Sequence, residues 1–253
     1  MNKLYQKNPL LFAILWIVVY VVSFSAGDSF SASFGVEKSV TVIVGGVLTA
    51  VLAGWIYRNG LAEEYGFCPS KVPAGKMLYY LPLVLLASVN LWFGVTMNLS
   101  ALEIVLYIIA MFFVGFLEEV IFRGLLFKAM AKDDLKAAII VSSVTFGLGH
   151  IINLFNGSGA DLFSSGLQVV YAVAAGFMFT AIFYKTKSLW ACIIAHGCLN
   201  ALSAFSNEAA QTPLTEAGSA AVLTVVAAVY GWYIWKKKIK AAGGKVEDLE
   251  RRF

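Results

Sequence analysis

Eight runs of predominantly apolar residues, at 9–26, 40–57, 77–95, 104–127, 137–154, 167–184, 189–205 and 217–235, occupy most of this 253-residue chain. A helix needs about 20 such residues, within a range of roughly 17 to 25, to cross a hydrocarbon layer about 30 Å thick. Inside that layer a backbone amide finds no water, so each run must satisfy its own hydrogen bonds as a helix. The sequence therefore predicts an all-α, polytopic membrane helix bundle of about eight transmembrane helices, a single integral membrane domain over 1–253. Composition points the same way: 60% of residues are hydrophobic and 13% charged, whereas about a quarter are charged in a soluble domain. Such a balance excludes a disordered chain and a nucleic-acid partner, and makes the lipid bilayer the surrounding medium.

The basic residues fix an orientation, because cytoplasmic loops retain lysine and arginine. All but two of the 19 Lys and Arg residues fall on alternate connections: Lys3 and Lys7; Arg58, Lys71 and Lys76; Lys128, Lys132 and Lys136; Lys185 and Lys187; and the tail from Lys236 to Arg252. Lys38 alone lies on the opposite side, and Arg123 lies within a span. Both termini are thus expected in the cytoplasm. A basic start followed by small residues around Ser31 also permits the first run to be read as a cleaved signal peptide. Cys68, Cys192 and Cys198 form no C-x-x-C pair and read as small apolar fillers. The glycine-containing stretch 156–159 reads as a simple loop.

Across the eight runs the only charged residues are Glu118, Glu119 and Arg123, and the chain's two histidines, His150 and His196, also lie inside runs. An intramembrane charge costs at least about 2.5 to 3.5 kcal/mol on insertion scales, so such residues normally serve a purpose. Residues four apart share a helix face, which lets Glu119 pair with Arg123 and leaves Glu118, turned about 100° away, to face something else. By the same spacing His196 and Asn200 present two side chains together, and Phe146 stands one turn before His150. Glu118 and His150 are equidistant in sequence from residue 134, in the charged turn between the fourth and fifth runs, so a helical hairpin puts them at one depth. With a rise of 1.5 Å per residue, that depth is about 15 to 18 Å from the cytoplasmic edge, and His196 reaches about 12 Å. The bland alternatives are a self-neutralising Glu119–Arg123 pair and polar residues that merely bond neighbouring helices.

The ordered set Glu118-Glu119-Val-Ile-Phe-Arg123, Phe146-x-x-x-His150 and His196-x-x-x-Asn200 resembles the CPBP intramembrane proteases, the family of CAAX prenyl endopeptidases and bacteriocin-processing (Abi) enzymes. All three signature patterns, E-E-x-x-x-R, F-x-x-x-H and H-x-x-x-N, are intact and lie on separate runs, which sets the core of the resemblance at 104–205. The resemblance implies an intramembrane endopeptidase with Glu118 as catalytic glutamate, His150 as its partner, and His196 and Asn200 completing the site. Glu119, Arg123 and Phe146 are expected to support it.

No G-x-S-x-G or H-E-x-x-H pattern occurs in the chain, so hydrolysis would fall to Glu118 as base for a water held between it and His150. His196 and Asn200 would donate hydrogen bonds to the oxyanion. A metal version stays open, with Glu118, His150 and His196 as zinc ligands and a polarised water; the cofactor is either none or a divalent metal. Two rivals of other classes use the same residues: a proton-coupled transporter with a Glu/His relay, and a non-catalytic membrane scaffold. The expected partner is a peptide or protein substrate, either prenylated, which would suit an apolar site open to the cytoplasmic leaflet, or a peptide leader, as in bacteriocin processing or self-immunity. The expected location is a bacterial cell membrane, multi-pass. The chain's own end, 250–253, is no CAAX box.

Overall fold

A computed structural model describes residues 1–154 and 161–237. The 156–159 loop and the basic residues beyond Lys237 lie outside the described residues. The elements are α1 (Asn2–Lys7), α2 (Pro9–Phe34), α3 (Ser39–Arg58), α4 (Leu81–Ala87), α5 (Ala101–Glu119), α6 (Lys128–Ala131), α7 (Leu135–Gly149), α8 (Leu162–Thr186), α9 (Trp190–Ala201) and α10 (Pro213–Lys236). Eight residues of π-helix, Val120–Phe127, join α5 to α6, making one continuous membrane helix Ala101–Ala131. The described residues form no strand beyond an isolated antiparallel bridge between Val95 and Ser206.

Six helices are long and apolar enough to cross a membrane: Pro9–Phe34, Ser39–Arg58, Ala101–Ala131, Leu135–Leu154, Leu162–Thr186 and Pro213–Lys236. The chain is a multi-pass integral membrane protein. The third and seventh expected spans are shorter than their apolar runs suggested. Over 77–95 the chain takes left-handed backbone angles at Leu78, Tyr79 and Tyr80, and α4, with Pro82 in its first turn, is only seven residues long. Over 189–205 the α-helix stops at Ala201 and tightens into a 3-10 turn, Leu202–Phe205.

Two contacts imply that the described residues nonetheless make eight crossings, the two shorter segments included. The Glu103 carboxylate, which also closes the Ser100 capping box of α5, accepts the backbone N–H of Glu37 at 3.1 Å, tying the start of α5 to the turn between α2 and α3. Residues 59–100 must therefore return from the end of α3 to the opposite face. At the lysine-rich face Tyr184 packs on Trp235, joining the ends of α8 and α10, so residues 187–212 must cross as well. The other signals are local: Asn8 caps α2 ahead of Pro9, and Asp134 and Asp161 accept the first amides of α7 and α8.

Helix contacts in lipid rely on small residues that let backbones approach. A Cβ on Gly115 of α5 would stand 2.7 Å from the Gly197 amide nitrogen of α9, and one on Gly147 of α7 would stand 2.8 Å from the Val173 nitrogen of α8. These two seams lock α5 to α9 and α7 to α8, the helix pairs that carry the polar residues. Gly115→Ala is expected to destabilise the protein by about 1 to 3 kcal/mol through overpacking, read as a lower melting temperature in detergent. Gly218→Ala, where no atom lies within 4 Å, is expected to leave it unchanged.

Candidate active site

Glu118 and Glu119 end the regular part of α5, and the π-helical turns begin at the next residue. A π-turn widens the helix and is characteristic of functional positions. All eight of its residues are buried, and Ser142 of α7 donates its hydroxyl to the Phe122 carbonyl at 2.9 Å, satisfying an acceptor within the altered ladder. Arg123 still reaches back one turn to Glu119, Nη1 to Oε1 at 3.0 Å, with both side chains fully buried.

The same Glu119 oxygen also meets His196 Nδ1 at 2.9 Å. Glu119 therefore joins α5 to α9, whereas its spacing in the sequence pointed to Arg123 alone. With Nδ1 engaged, His196 turns Nε2 toward Glu118, 3.6 Å from Oε2. Aromatic rings enclose this group: the Arg123 guanidinium lies 4.0 Å from the Phe146 ring centre and 5.4 Å from that of Phe179. Phe179 stacks on His196 at 5.8 Å, and the edge of Phe146 meets both His150 and His196. Guanidinium over an aromatic face is a favourable way to house a buried cation. Phe146 thus contacts Arg123 and both imidazoles from a single position on α7.

Glu118 is buried and faces a cavity of about 380 Å³ that His150, His196 and Asn200 also line. The four residues expected to act together therefore surround one hollow, with carboxylate, imidazoles and amide drawn from α5, from the α7 terminus and from α9. One Glu118 oxygen, Oε1, accepts the Tyr20 hydroxyl of α2 at 2.5 Å. The other, Oε2, is buried without a hydrogen-bond partner in the protein and stands 3.6 Å from His196 Nε2. Sequence reasoning missed Tyr20: an aromatic residue in an apolar run resembles any membrane tyrosine, and nothing in its spacing refers to a glutamate 98 residues away.

Among the described residues no group of three or more His, Cys, Asp or Glu side chains is set to hold a metal ion. Tyr20 on Glu118 Oε1 and Glu119 on His196 Nδ1 leave Oε2 and Nε2, 3.6 Å apart, as the donor atoms that face each other.

Comparison with known proteins returns similarity over part of the chain. Residues 100–202 match the family model described as type II CAAX prenyl endopeptidase Rce1-like, a segment containing Glu118, Glu119, Arg123, Phe146, His150, His196 and Asn200. A Bacillus subtilis (strain 168) protein named "Putative membrane peptidase YdiL" is 35% identical over 85 residues. That stretch covers 33% of this chain and 30% of the relative's length. No solved structure matches the chain. Tyr20 lies outside the family-matched segment.

A buried ion pair that loses one partner leaves an uncompensated charge, at a cost of about 3 to 5 kcal/mol. Arg123→Met is expected to destabilise the protein by that order, measured by thermal unfolding in detergent. Glu118→Gln, which keeps an oxygen for the Tyr20 hydroxyl, is expected to melt within about 1 kcal/mol of the parent, in line with the small net value of a single retained hydrogen bond.

Proposed function

We propose that this chain, a CPBP-family membrane protein through its residues 100–202, is an intramembrane endopeptidase in which Glu118 activates water to hydrolyse a peptide bond. The observation that carries the reading is the placement of Glu118, His150, His196 and Asn200 around one cavity, with Glu118 Oε2 free of any hydrogen-bond partner in the protein. A scissile carbonyl in that cavity would stand beside four groups able to exchange or donate protons.

The steps follow from the geometry. Glu118 Oε2 takes a proton from a water positioned between it and His150, and the water oxygen bonds to the carbonyl carbon. Negative charge passes to the carbonyl oxygen, where the Asn200 amide and His196 Nε2–H stabilise it; donation from Nε2 requires the doubly protonated ring, because Nδ1–H is held by Glu119. The proton that Glu118 takes up and the charge that passes to the carbonyl oxygen offset each other, so the net charge of the cluster does not change through the step. When the C–N bond breaks, the proton on Glu118 passes to the leaving amine and restores the carboxylate. The Tyr20 hydroxyl holds Oε1, so that the reacting oxygen keeps its direction. No step here is assigned to a metal.

Base catalysis by a positioned side chain is worth roughly 10² to 10⁴ in rate. Glu118→Gln is therefore expected to reduce cleavage to background in proteoliposomes, with the protein still folded and inserted. Comparison of membrane peptidomes from cells carrying the parent or this variant would supply the substrates. Retention of cleavage by Glu118→Gln would remove Glu118 as the base. Activity is expected to persist after exhaustive chelation, and loss that zinc restores would instead establish a metal enzyme. Tyr20→Phe is expected to lower kcat with little change in KM, since the hydroxyl touches Glu118 rather than substrate.

A further inference from the structure

The cavity has a direction. Its lining on α2 runs from Tyr20 through Phe24 to Asp28 and continues to Lys38 in the turn beyond; on α5 it runs from Tyr107 to Phe122. Along α5 that is about 22 Å, at 1.5 Å per residue. On the remaining helices the lining includes Asn153 past the end of α7, Gln168 near the start of α8, and Ser203 past the end of α9. Every one of these rim positions is a helix end opposite the lysine-rich connections. The other half of the bundle is packed: Ile121, Phe127, Ile182, Phe183 and Leu189 are 0 to 2% exposed, and the fully buried Arg123 and Glu119 lie directly under the catalytic level. The floor, made by Phe122, Phe146, Phe179 and His196, therefore separates the cavity from the face that carries Lys128, Lys132, Lys136, Lys185 and Lys187.

Positively charged connections mark the cytoplasmic side. The rim is polar and partly exposed at Asp28, Lys38 and Gln168, as a water-filled entrance requires, whereas the floor is largely aromatic and buried. Lys38 Nζ is anchored to Asp28 at 2.9 Å and to Glu37 at 3.4 Å, so this rim is organised rather than a chance gap between helices.

We infer that the site is reached from the non-cytoplasmic face, so that the substrate is a peptide segment already exported to, or anchored at, the outer side of the membrane. The inference rests on the hydrolase reading for its meaning as a substrate path, though the path itself is a property of the fold. It reverses the expectation of a site open to the cytoplasmic leaflet and removes a prenylated cytoplasmic terminus as substrate. A reaction that exports the peptide must precede this one.

Single cysteines test the path in whole cells. With Cys68 and Cys198 replaced by alanine and the buried Cys192 retained, Gln168→Cys reports on the rim, Asn200→Cys on the catalytic level, and Lys132→Cys on the opposite face. A membrane-impermeant maleimide applied to intact cells is expected to label Gln168→Cys and Asn200→Cys but not Lys132→Cys, and to label all three after permeabilisation. Ser203→Cys replaces Asn200→Cys if the latter does not accumulate. Labelling of Asn200→Cys only after permeabilisation, or labelling of Lys132→Cys in intact cells, overturns the inference. Neither readout needs turnover, so failure here leaves the Glu118→Gln experiment to judge the hydrolase reading independently.

Discussion

One carboxylate oxygen, Oε1 of Glu119, holds the centre of this protein together. It accepts from Arg123 on its own helix and meets His196 on α9, all three side chains being buried or nearly so. In a medium that offers no competing solvent, such a bridge is strong once made and expensive to leave half made. It ties the rotation of α5 to that of α9, and the glycine seam between Gly115 and Gly197 brings the two backbones close enough for the bridge to form. Glu118, the adjacent residue, gains its orientation from this arrangement.

The two glutamates divide their duties by the faces they occupy. Glu119 faces inward, into charge and aromatic rings; Glu118 lines the hollow, with one oxygen held by Tyr20 and the other without a hydrogen-bond partner. The π-helical turns beyond them allow Arg123 to reach back while the chain continues toward the lysine-rich face. Phe146 then closes the assembly from α7 by lying under the guanidinium and against both imidazoles. A phenylalanine is suited to this place because its ring offers a face to the cation and an edge to the histidines.

Much of this was legible in the sequence because lipid simplifies the reading. Apolar length locates the helices, lysines orient them, and any polar residue left inside a span calls for an explanation; that is how Glu118, Glu119, Arg123, His150, His196 and Asn200 stood out. The equal spacing of Glu118 and His150 about residue 134 placed them at one depth, and the structure sets both on the same cavity. What sequence hid was of another kind. Tyr20 carries no charge to betray it in an apolar run. The π-turns at Val120–Phe127 leave no compositional trace. The two shortened crossings read as full spans because their flanks are equally apolar; only the left-handed angles at Leu78, Tyr79 and Tyr80 and the tightened turn after Ala201 reveal the difference. The second contact of Glu119 is invisible to a rule that considers one helix at a time.

The two short crossings also change where the backbone finds its hydrogen bonds. With seven and twelve residues, α4 and α9 extend only about 11 and 18 Å as helices, and they pack against each other. The remainder of each crossing is made of tighter turns and extended chain, so this flank carries more backbone outside a regular ladder than the six long helices do. It finds partners between the two crossings themselves: the Asn90 amide donates to the Leu199 carbonyl at 2.7 Å and the Thr96 N–H to the Phe205 carbonyl at 3.0 Å.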